Sequence, residues 1–119
     1  WQMAMSRCPP DPRRGMLLVD PSFEIKSDYD DIPDFFRKIH RKWGVGILTL
    51  WYPILVDERH RPMTAALRAQ FPDASLHEVR FAPARAGHGM VGSGMFVINA
   101  PYGFDAQAAW LSDKFNSLK

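Results

Sequence analysis

Four consecutive residues, Asp20-Pro21-Ser22-Phe23, place a carboxylate, a turn and an aromatic ring directly after an apolar run at residues 16–19. A short apolar run of this kind is typical of a buried strand in a parallel sheet. In open α/β sheets, ligands bind beyond the carboxyl ends of the strands. The Asp20 carboxylate and the Pro21 carbonyl are acceptors that suit an exocyclic amino group, and the Phe23 ring suits a flat heterocycle. Because the same residue types form ordinary turns, a strand-ending turn is the alternative interpretation of this DPSF motif.

The segments that must position the motif alternate between strand and helix patterns. Residues 1–8 read as the second half of a helix. Strands are predicted at residues 15–19, 46–51, 76–81 and 94–98, and helices at residues 31–43, 57–70 and 105–118. A strand–helix–strand–helix order followed by a strand pair predicts two βαβ steps with right-handed crossovers. The closing pair is expected to be antiparallel.

The helix predicted at residues 31–43 has two distinct faces. Its apolar side chains recur at helical spacing, with Pro33 in the first turn, and they predict a stripe packed on the sheet. The stripe is Ile32, Phe35, Phe36, Ile39 and Trp43, and the opposite row is Arg37, Lys38, Arg41 and Lys42. We interpret this basic row as a solvated face. The last helix is expected to bury Ala108, Ala109 and Leu111, with Trp110 or Phe115.

Composition excludes several classes of protein. With 15 Lys and Arg against 13 Asp and Glu, the net charge of +2 is too small to diagnose a nucleic-acid partner. The single cysteine, Cys8, excludes an internal disulfide and fits a reducing cytoplasm. No apolar stretch approaches a membrane-spanning length, and four scattered histidines give no metal-ligand spacing. We therefore expect a cytoplasmic protein with no membrane and no metal partner.

The DPSF motif resembles the Asp-Pro-Pro-Tyr/Phe motif of adenine-N6 methyltransferases that use S-adenosylmethionine. Further segments resemble, in order and rough spacing, a bacterial family that methylates an adenine of large-subunit ribosomal RNA. They are residues 9–10, 13–15, 24–26, 28–29, 50–54, 92–95 and 97–99. Ser22 departs from this family, whose members mostly have a second proline there. Asn99-Ala100-Pro101-Tyr102 departs similarly, where the family tends to have Asn-Pro-Pro-Trp.

This resemblance implies an α/β fold, the second half of a Rossmann-like class I methyltransferase, with parallel strands and a terminal antiparallel pair. Residues 1–119 would be the carboxyl-terminal part of a single methyltransferase domain, and the amino-terminal cofactor-binding half would lie upstream. We expect this part alone to be inactive or nearly so. An exposed parallel-strand edge favours pairing with another chain, so dimerisation of the isolated part is also expected.

The resemblance also implies roles for individual residues. Asp20 and Pro21 would be catalytic, accepting hydrogen bonds from the adenine N6 amine, and Asp20 would also contact S-adenosylmethionine. Phe23 would stack on the adenine, and Ser22 and Tyr52 would complete the substrate-binding residues. Tyr52 enters this set because residues 51–53 are expected to end a second parallel strand at the same edge of the sheet and to line the pocket there. Trp51 by itself is expected to belong to the core.

Three basic residues are candidates for contact with ribosomal RNA. Arg13, Arg14 and Lys26 are expected to flank the edge of the DPSF motif and to contact phosphates. The alternative is a solvated entry to the first strand. The loop at residues 83–92, with His88 and several glycines, is either a mobile RNA-contacting element or a hairpin tip without a role, and His88 is not expected to be a general base.

Two other functions remain open at this point. One is a non-catalytic module, derived from a methyltransferase and retained for RNA or protein binding, which the change to Ser22 would explain. The other keeps the enzyme class but takes a DNA adenine as substrate, because the DPSF motif does not separate RNA from DNA.

Overall fold

A computed structural model describes residues 1–83 and 85–118 of the chain. In these residues, four helices and four strands follow one another along the sequence. They are α1 (Gln2–Arg7), β1 (Met16–Val19), α2 (Lys26–Lys42), β2 (Ile47–Leu55), α3 (Arg61–Gln70), β3 (Ser75–Arg80), β4 (Met90–Ile98) and α4 (Phe104–Ser117). The strands form one mixed sheet in the order β1-β2-β4-β3.

The pairing of the strands confirms the predicted α/β fold class. β1 and β2 are parallel neighbours joined by α2, with Val19 opposite Leu50. β4 runs antiparallel between β2 and β3, and Phe96 pairs with both Leu50 and Leu76. The second crossover, through α3, therefore brings β3 into the sheet parallel in direction to β2 but separated from it by β4. This arrangement is the predicted parallel part with a terminal antiparallel pair.

One face of the sheet forms the main core. Side chains alternate across a strand, and every second residue of β2 from Leu48 to Ile54 is fully buried. α2 and α3 cover this face. The residues that join the strands to these helices include Ile32, Phe36, Ile39, Leu48, Leu50, Met63, Leu67 and Phe96. Their packing holds the carboxyl ends of β1 and β2 side by side.

α2 confirms the predicted stripe and basic row but begins earlier than expected. Its apolar stripe is buried, as is Trp43 at its end, and the basic row is exposed. The predicted start near Asp31 is wrong, because the helix already begins at Lys26. Pro33 therefore lies inside the helix instead of in its first turn. A proline at this depth leaves the carbonyl four residues earlier without its helical partner.

Tertiary pairing also extends two strands beyond their predicted ends. The expectation that residues 51–53 end the second strand is wrong, since β2 continues to Leu55 by pairing with β4. β4 itself begins at Met90 instead of Gly94, which shortens the predicted loop at 83–92. α3 begins at Arg61, later than the expected residue 57.

The opposite face of the sheet is only partly covered. α4 packs along β3, where the Nε2 atom of His77 lies 2.8 Å from the hydroxyl oxygen of Ser112. The prediction that α4 buries Ala108, Ala109 and Leu111, with Trp110 or Phe115, is wrong. No residue of α4 is fully buried, and Ala109, Trp110 and Leu111 are exposed, because this helix has a single edge strand beneath it. Met16 and Leu18 of β1 are also exposed on this face. No helix in the described residues is long and apolar enough to cross a membrane.

Candidate functional site

The DPSF motif lies at the carboxyl edge of the sheet, immediately after β1. Asp20 is exposed and follows Val19, the last residue of the parallel register with β2. Its carboxylate faces a small pocket of about 290 Å³, which is otherwise lined by Leu18, Trp51 and Met95. The pocket therefore combines one negatively charged acceptor with three apolar walls, which suits a flat ligand carrying a hydrogen-bond donor.

The two proposed acceptors are free to bind such a donor. Within residues 1–83 and 85–118, no residue donates a hydrogen bond to the Asp20 carboxylate or to the Pro21 carbonyl. Ser22 is tied back to the chain instead. Its hydroxyl donates to a carboxylate oxygen of Asp28 and accepts from the backbone N–H of Glu24, both at 3.4 Å. These long contacts hold the turn loosely and leave the two acceptors open.

Phe23 has an unusual conformation for its residue type. Its backbone is left-handed, with φ of 56°, a region that bulky residues rarely adopt. Its ring is buried between Tyr29, at 4.9 Å between ring centroids, and Trp51, at 6.4 Å. Strained backbone of this kind concentrates at functional sites. The aromatic row Tyr29–Phe23–Trp51 thus connects the helix side of the sheet with the Asp20 pocket.

The structure corrects the expectation that Tyr52 lines the substrate pocket. Because β2 continues past residue 51, Tyr52 points to the core face and is fully buried. Its hydroxyl donates to Glu78 at 2.8 Å, and its ring stacks on His60 with centroids 5.5 Å apart. Burial, together with this hydrogen bond to a carboxylate, raises the pKa of Tyr52. The neighbour Trp51 occupies the position beside Asp20 instead.

The structure also separates the three basic residues that were expected together. Lys26 begins α2 on the same side as the DPSF motif. Arg13 and Arg14 precede β1 and lie at its amino end. A four-residue strand spans about 13 Å, so they do not flank the edge that carries Asp20. The backbone carbonyl of Arg13 instead accepts a 2.7 Å hydrogen bond from the Trp43 indole.

The remaining candidates lie outside the site. His88 is exposed in the turn before β4, and Ala84 of the predicted loop lies outside the described residues. In the part of the chain that the structure describes, no three His, Cys, Asp or Glu side chains come together in a way that could hold a metal ion.

Trp51 and Met95 are pocket residues that sequence reasoning missed. Trp51 was interpreted as core, although it directly follows Leu50, the partner of the last β1 residue. Met95 is its cross-strand partner in β4. Alternation along the extended β2 would have placed Trp51 on the face opposite Leu50, but the pairing of β4 with β2 is not visible in the local sequence.

Comparison with known proteins agrees with this geometry. The model of the family described as ribosomal RNA large subunit methyltransferase D, RlmJ, matches residues 1–117. The chain belongs to this family. The match includes the DPSF motif, all four strands and all four helices, so the predicted membership of an rRNA methyltransferase family is confirmed.

Two curated relatives carry the name ribosomal RNA large subunit methyltransferase J. The protein from Escherichia coli K12 is 32% identical over 119 residues, which cover 96% of this chain and 42% of the relative. The Haemophilus influenzae protein is 31% identical over 108 residues, covering 90% of this chain and 38% of the relative. The chain thus spans about two fifths of the length of these relatives.

A solved structure gives the same result for the fold. The crystal structure of a protein from Legionella pneumophila strain Philadelphia 1 superposes with a TM-score of 0.83 at 26% identity. The superposition covers 94% of this chain and 42% of that protein. The mixed sheet described above is therefore part of a larger fold in that protein.

Proposed function

We propose that this chain is the substrate-binding part of an S-adenosylmethionine-dependent methyltransferase that acts on the N6 amine of an adenine in large-subunit ribosomal RNA. The observation that supports it is the Asp20 pocket: an exposed carboxylate and a free carbonyl stand beside an aromatic row at the carboxyl edge of the sheet. Family membership supplies the substrate class. Residues 1–119 would form the carboxyl-terminal part of one domain.

The two acceptors give the chain a defined part in this reaction. The N6 lone pair of adenine is delocalised into the ring, so the amine is a poor nucleophile. Hydrogen bonds from N6 to the Asp20 carboxylate and the Pro21 carbonyl favour a pyramidal nitrogen whose lone pair points away from the ring plane. Holding a nucleophile in such an orientation contributes up to roughly 7–11 kcal/mol in ideal intramolecular reactions.

The residues present fit the cofactor that the family name implies. When bound, S-adenosylmethionine supplies an electrophilic methyl group on a sulfonium. An unpaired carboxylate such as that of Asp20 is suited to a ligand with a positive charge, and the apolar walls of its pocket suit the flat faces of a base. We assign Asp20 to contact both the cofactor and the amine, and most of the cofactor site to sequence upstream of this chain.

Phe23 and Trp51 would receive the base. Stacking of a base on an aromatic ring contributes about 1–3 kcal/mol. Phe23 is buried in the described conformation, so its ring must turn out of the row between Tyr29 and Trp51 to stack on the adenine. A paired adenine must also leave its duplex before it reaches the pocket. The substrate would be met during ribosome assembly, in agreement with the cytoplasmic location expected from the sequence.

The proposal is tested by labelled-methyl transfer to unmodified large-subunit ribosomal RNA, using the protein in its full natural length. We expect label in N6-methyladenosine, and a loss of at least about 100-fold in kcat for Asp20→Ala, as for other groups that stabilise a transition state by hydrogen bonding. Asp73→Ala is the matched control, because Asp73 is an exposed carboxylate outside the site.

Three other results would each change the conclusion. Equal transfer by wild type and Asp20→Ala would refute the role of the DPSF motif. Transfer to DNA in preference to RNA would favour the DNA adenine methyltransferase. Folded protein that binds RNA but transfers no methyl group would favour the non-catalytic module.

A further inference from the structure

We propose that a groove between α2 and α3 binds the base of a nucleotide next to the target adenine, with the Tyr29 hydroxyl as its hydrogen-bonding group. This inference rests on the proposed function, because it assigns a second contact to the same RNA. The groove has a volume of about 530 Å³. It lies on the helix side of the DPSF motif and is separate from the Asp20 pocket.

An unpartnered hydroxyl is the first observation. Tyr29 is 6% exposed, and its Oη atom is buried without a hydrogen-bond partner among residues 1–83 and 85–118. The Thr49 hydroxyl and the Nδ1 atom of His60 are also buried without a partner, but of these three side chains only Tyr29 lines the groove. Leaving a buried hydroxyl unpaired destabilises a fold. Phenylalanine would fill the same space without this cost. The hydroxyl is therefore expected to gain its partner when a ligand binds.

The walls of the groove select the chemistry of that ligand. Its apolar lining comes from both helices and consists of Pro33, Pro62, Met63 and Ala66. Its rim carries two cations, Lys26 and Arg59, and two carboxylates, Asp30 and Asp57. The formal charge of the rim is therefore zero, which favours an uncharged heterocycle over a phosphate group. A nucleobase has the required flat apolar faces and polar edge.

A surface ion pair lies at the rim of the groove. Arg59 and Asp57 bond to each other, with Nη2 of Arg59 2.6 Å from Oδ2 of Asp57. Both side chains are about half exposed. An exposed pair of this kind contributes little to stability, so it can rotate aside when a base enters the groove.

The position of the groove fits a neighbouring nucleotide. Tyr29 forms one wall of the groove and also packs against Phe23, with 4.9 Å between ring centroids. Phe23 in turn contacts Trp51 of the Asp20 pocket. One aromatic row thus separates the two sites. The two sites are therefore adjacent, as binding sites for neighbouring nucleotides of one strand must be.

The test compares methyl transfer to a short RNA that contains the target adenosine and to the same RNA with an abasic nucleotide at each neighbouring position in turn. The protein is used in its full natural length. Tyr29→Phe should raise the KM for the intact RNA about tenfold, the size of one hydrogen bond, with kcat unchanged. On the RNA whose abasic position faces the groove, wild type and Tyr29→Phe should have equal KM values.

Two variants and one stability measurement separate binding from folding. Tyr102→Phe is the matched control, because it removes a hydroxyl from a fully exposed tyrosine and should leave the KM unchanged. Ala66→Leu, which fills the groove from α3, should raise the KM as Tyr29→Phe does. Tyr29→Phe should also raise the Tm of the free protein by a few degrees, since it removes an unpaired buried hydroxyl; a merely structural tyrosine would not combine this gain with weaker RNA binding.

A KM for Tyr29→Phe equal to that of wild type, or raised equally on intact and abasic RNA, would overturn the groove assignment while leaving the proposed function intact. If the wild-type protein transfers no methyl group to any RNA, the proposed function itself fails, and the groove assignment fails with it.

Discussion

The two edges of the sheet use the same rare backbone conformation for different purposes. Asn99 at the amino edge has φ of 58°, and Phe23 at the carboxyl edge has φ of 56°. Asn99 is a residue type that tolerates this region, and its side-chain amide donates to the carbonyls of Gly44 and Gly46 at 2.8 and 3.0 Å. Phe23 lacks such support: among the described residues, no side chain forms a hydrogen bond with its backbone.

Pocket size and the DPSF motif point to different edges of the sheet. A groove of about 1270 Å³ lies at the amino edge, between the loops before β3 and α4. There, Ser75 donates to Asp105 at 3.2 Å, and Asn99 ties the end of β4 to the start of β2. The side chains of Ser75, Asp105 and Asn99 at that edge are therefore bonded within the protein, whereas Asp20, the Pro21 carbonyl and Tyr29 at the other edge have no such partner among the described residues. This contrast supports our choice of the carboxyl edge as the binding edge.

The largest effect that follows from this contrast is on activity at the carboxyl edge. Phe23→Leu keeps an apolar side chain but removes the stacking surface, so it should lower kcat/KM for RNA by about 10- to 100-fold. Phe23→Tyr retains the ring and should keep near wild-type activity. Steady-state methyl transfer to ribosomal RNA measures both. Unchanged activity of Phe23→Leu would show that Phe23 does not contact the base.

At the amino edge, the corresponding change should affect stability instead. Asn99→Ala removes two hydrogen bonds and places a less tolerant residue at positive φ, so the free energy of unfolding should fall by about 1–3 kcal/mol. The activity of the folded fraction should not change. Urea denaturation measures the loss, with Asn116→Ala on the exposed surface of α4 as the control. A loss of activity without a loss of stability would break the contrast between the edges.

His60, near the carboxyl edge, is a polar side chain buried in the core. It is 2% exposed beside Glu78 and Glu58, with Arg61 and Arg80 nearby. Burial lowers the pKa of His60 below its usual value, so the folded state holds it neutral while the unfolded state binds a proton. Stability should therefore fall as pH drops below about 6.5, by at most about 1.4 kcal/mol per pH unit from this group.

Urea denaturation at pH 7.5, 6.5 and 5.5 tests the effect of His60. His60→Gln removes the titrating group, so the free energy of unfolding of the variant should change less between these pH values than that of wild type. An identical pH dependence of the two proteins would assign the effect to other groups.

The smallest expected effect concerns Ser22. Ser22→Pro restores the family pattern and restricts Pro21 to extended backbone, which aims its carbonyl. A proline at a compatible position removes backbone freedom that corresponds to about 0.4–1 kcal/mol, so we expect a rise in kcat of about two- to fivefold. Ser22→Ala is the control, because it removes the hydroxyl contacts to Asp28 and Glu24 without restricting the backbone. A lower kcat for Ser22→Pro would indicate that the serine hydroxyl itself contributes.

Local sequence predicted the features that depend on neighbouring residues. The apolar run at β1 and the turn after it placed the DPSF motif at a carboxyl edge, and helical spacing predicted the buried stripe of α2. Each pattern lies within a single helix or a single short strand. The roles of the motif stay predictions, as does the division of the domain between this chain and upstream sequence.

Only the tertiary structure decided features that depend on distant pairing. The register of β4 against β2 lengthened β2, moved Tyr52 into the core and brought Trp51 to Asp20. The single strand under α4 left Trp110 exposed. The direction of β1 put Arg13 at the edge opposite to Asp20, although only six residues separate them in the sequence. Side-chain periodicity fixes what a segment buries, but which partner it meets depends on the order of strands in the sheet, and that order is set by packing between residues far apart in the chain.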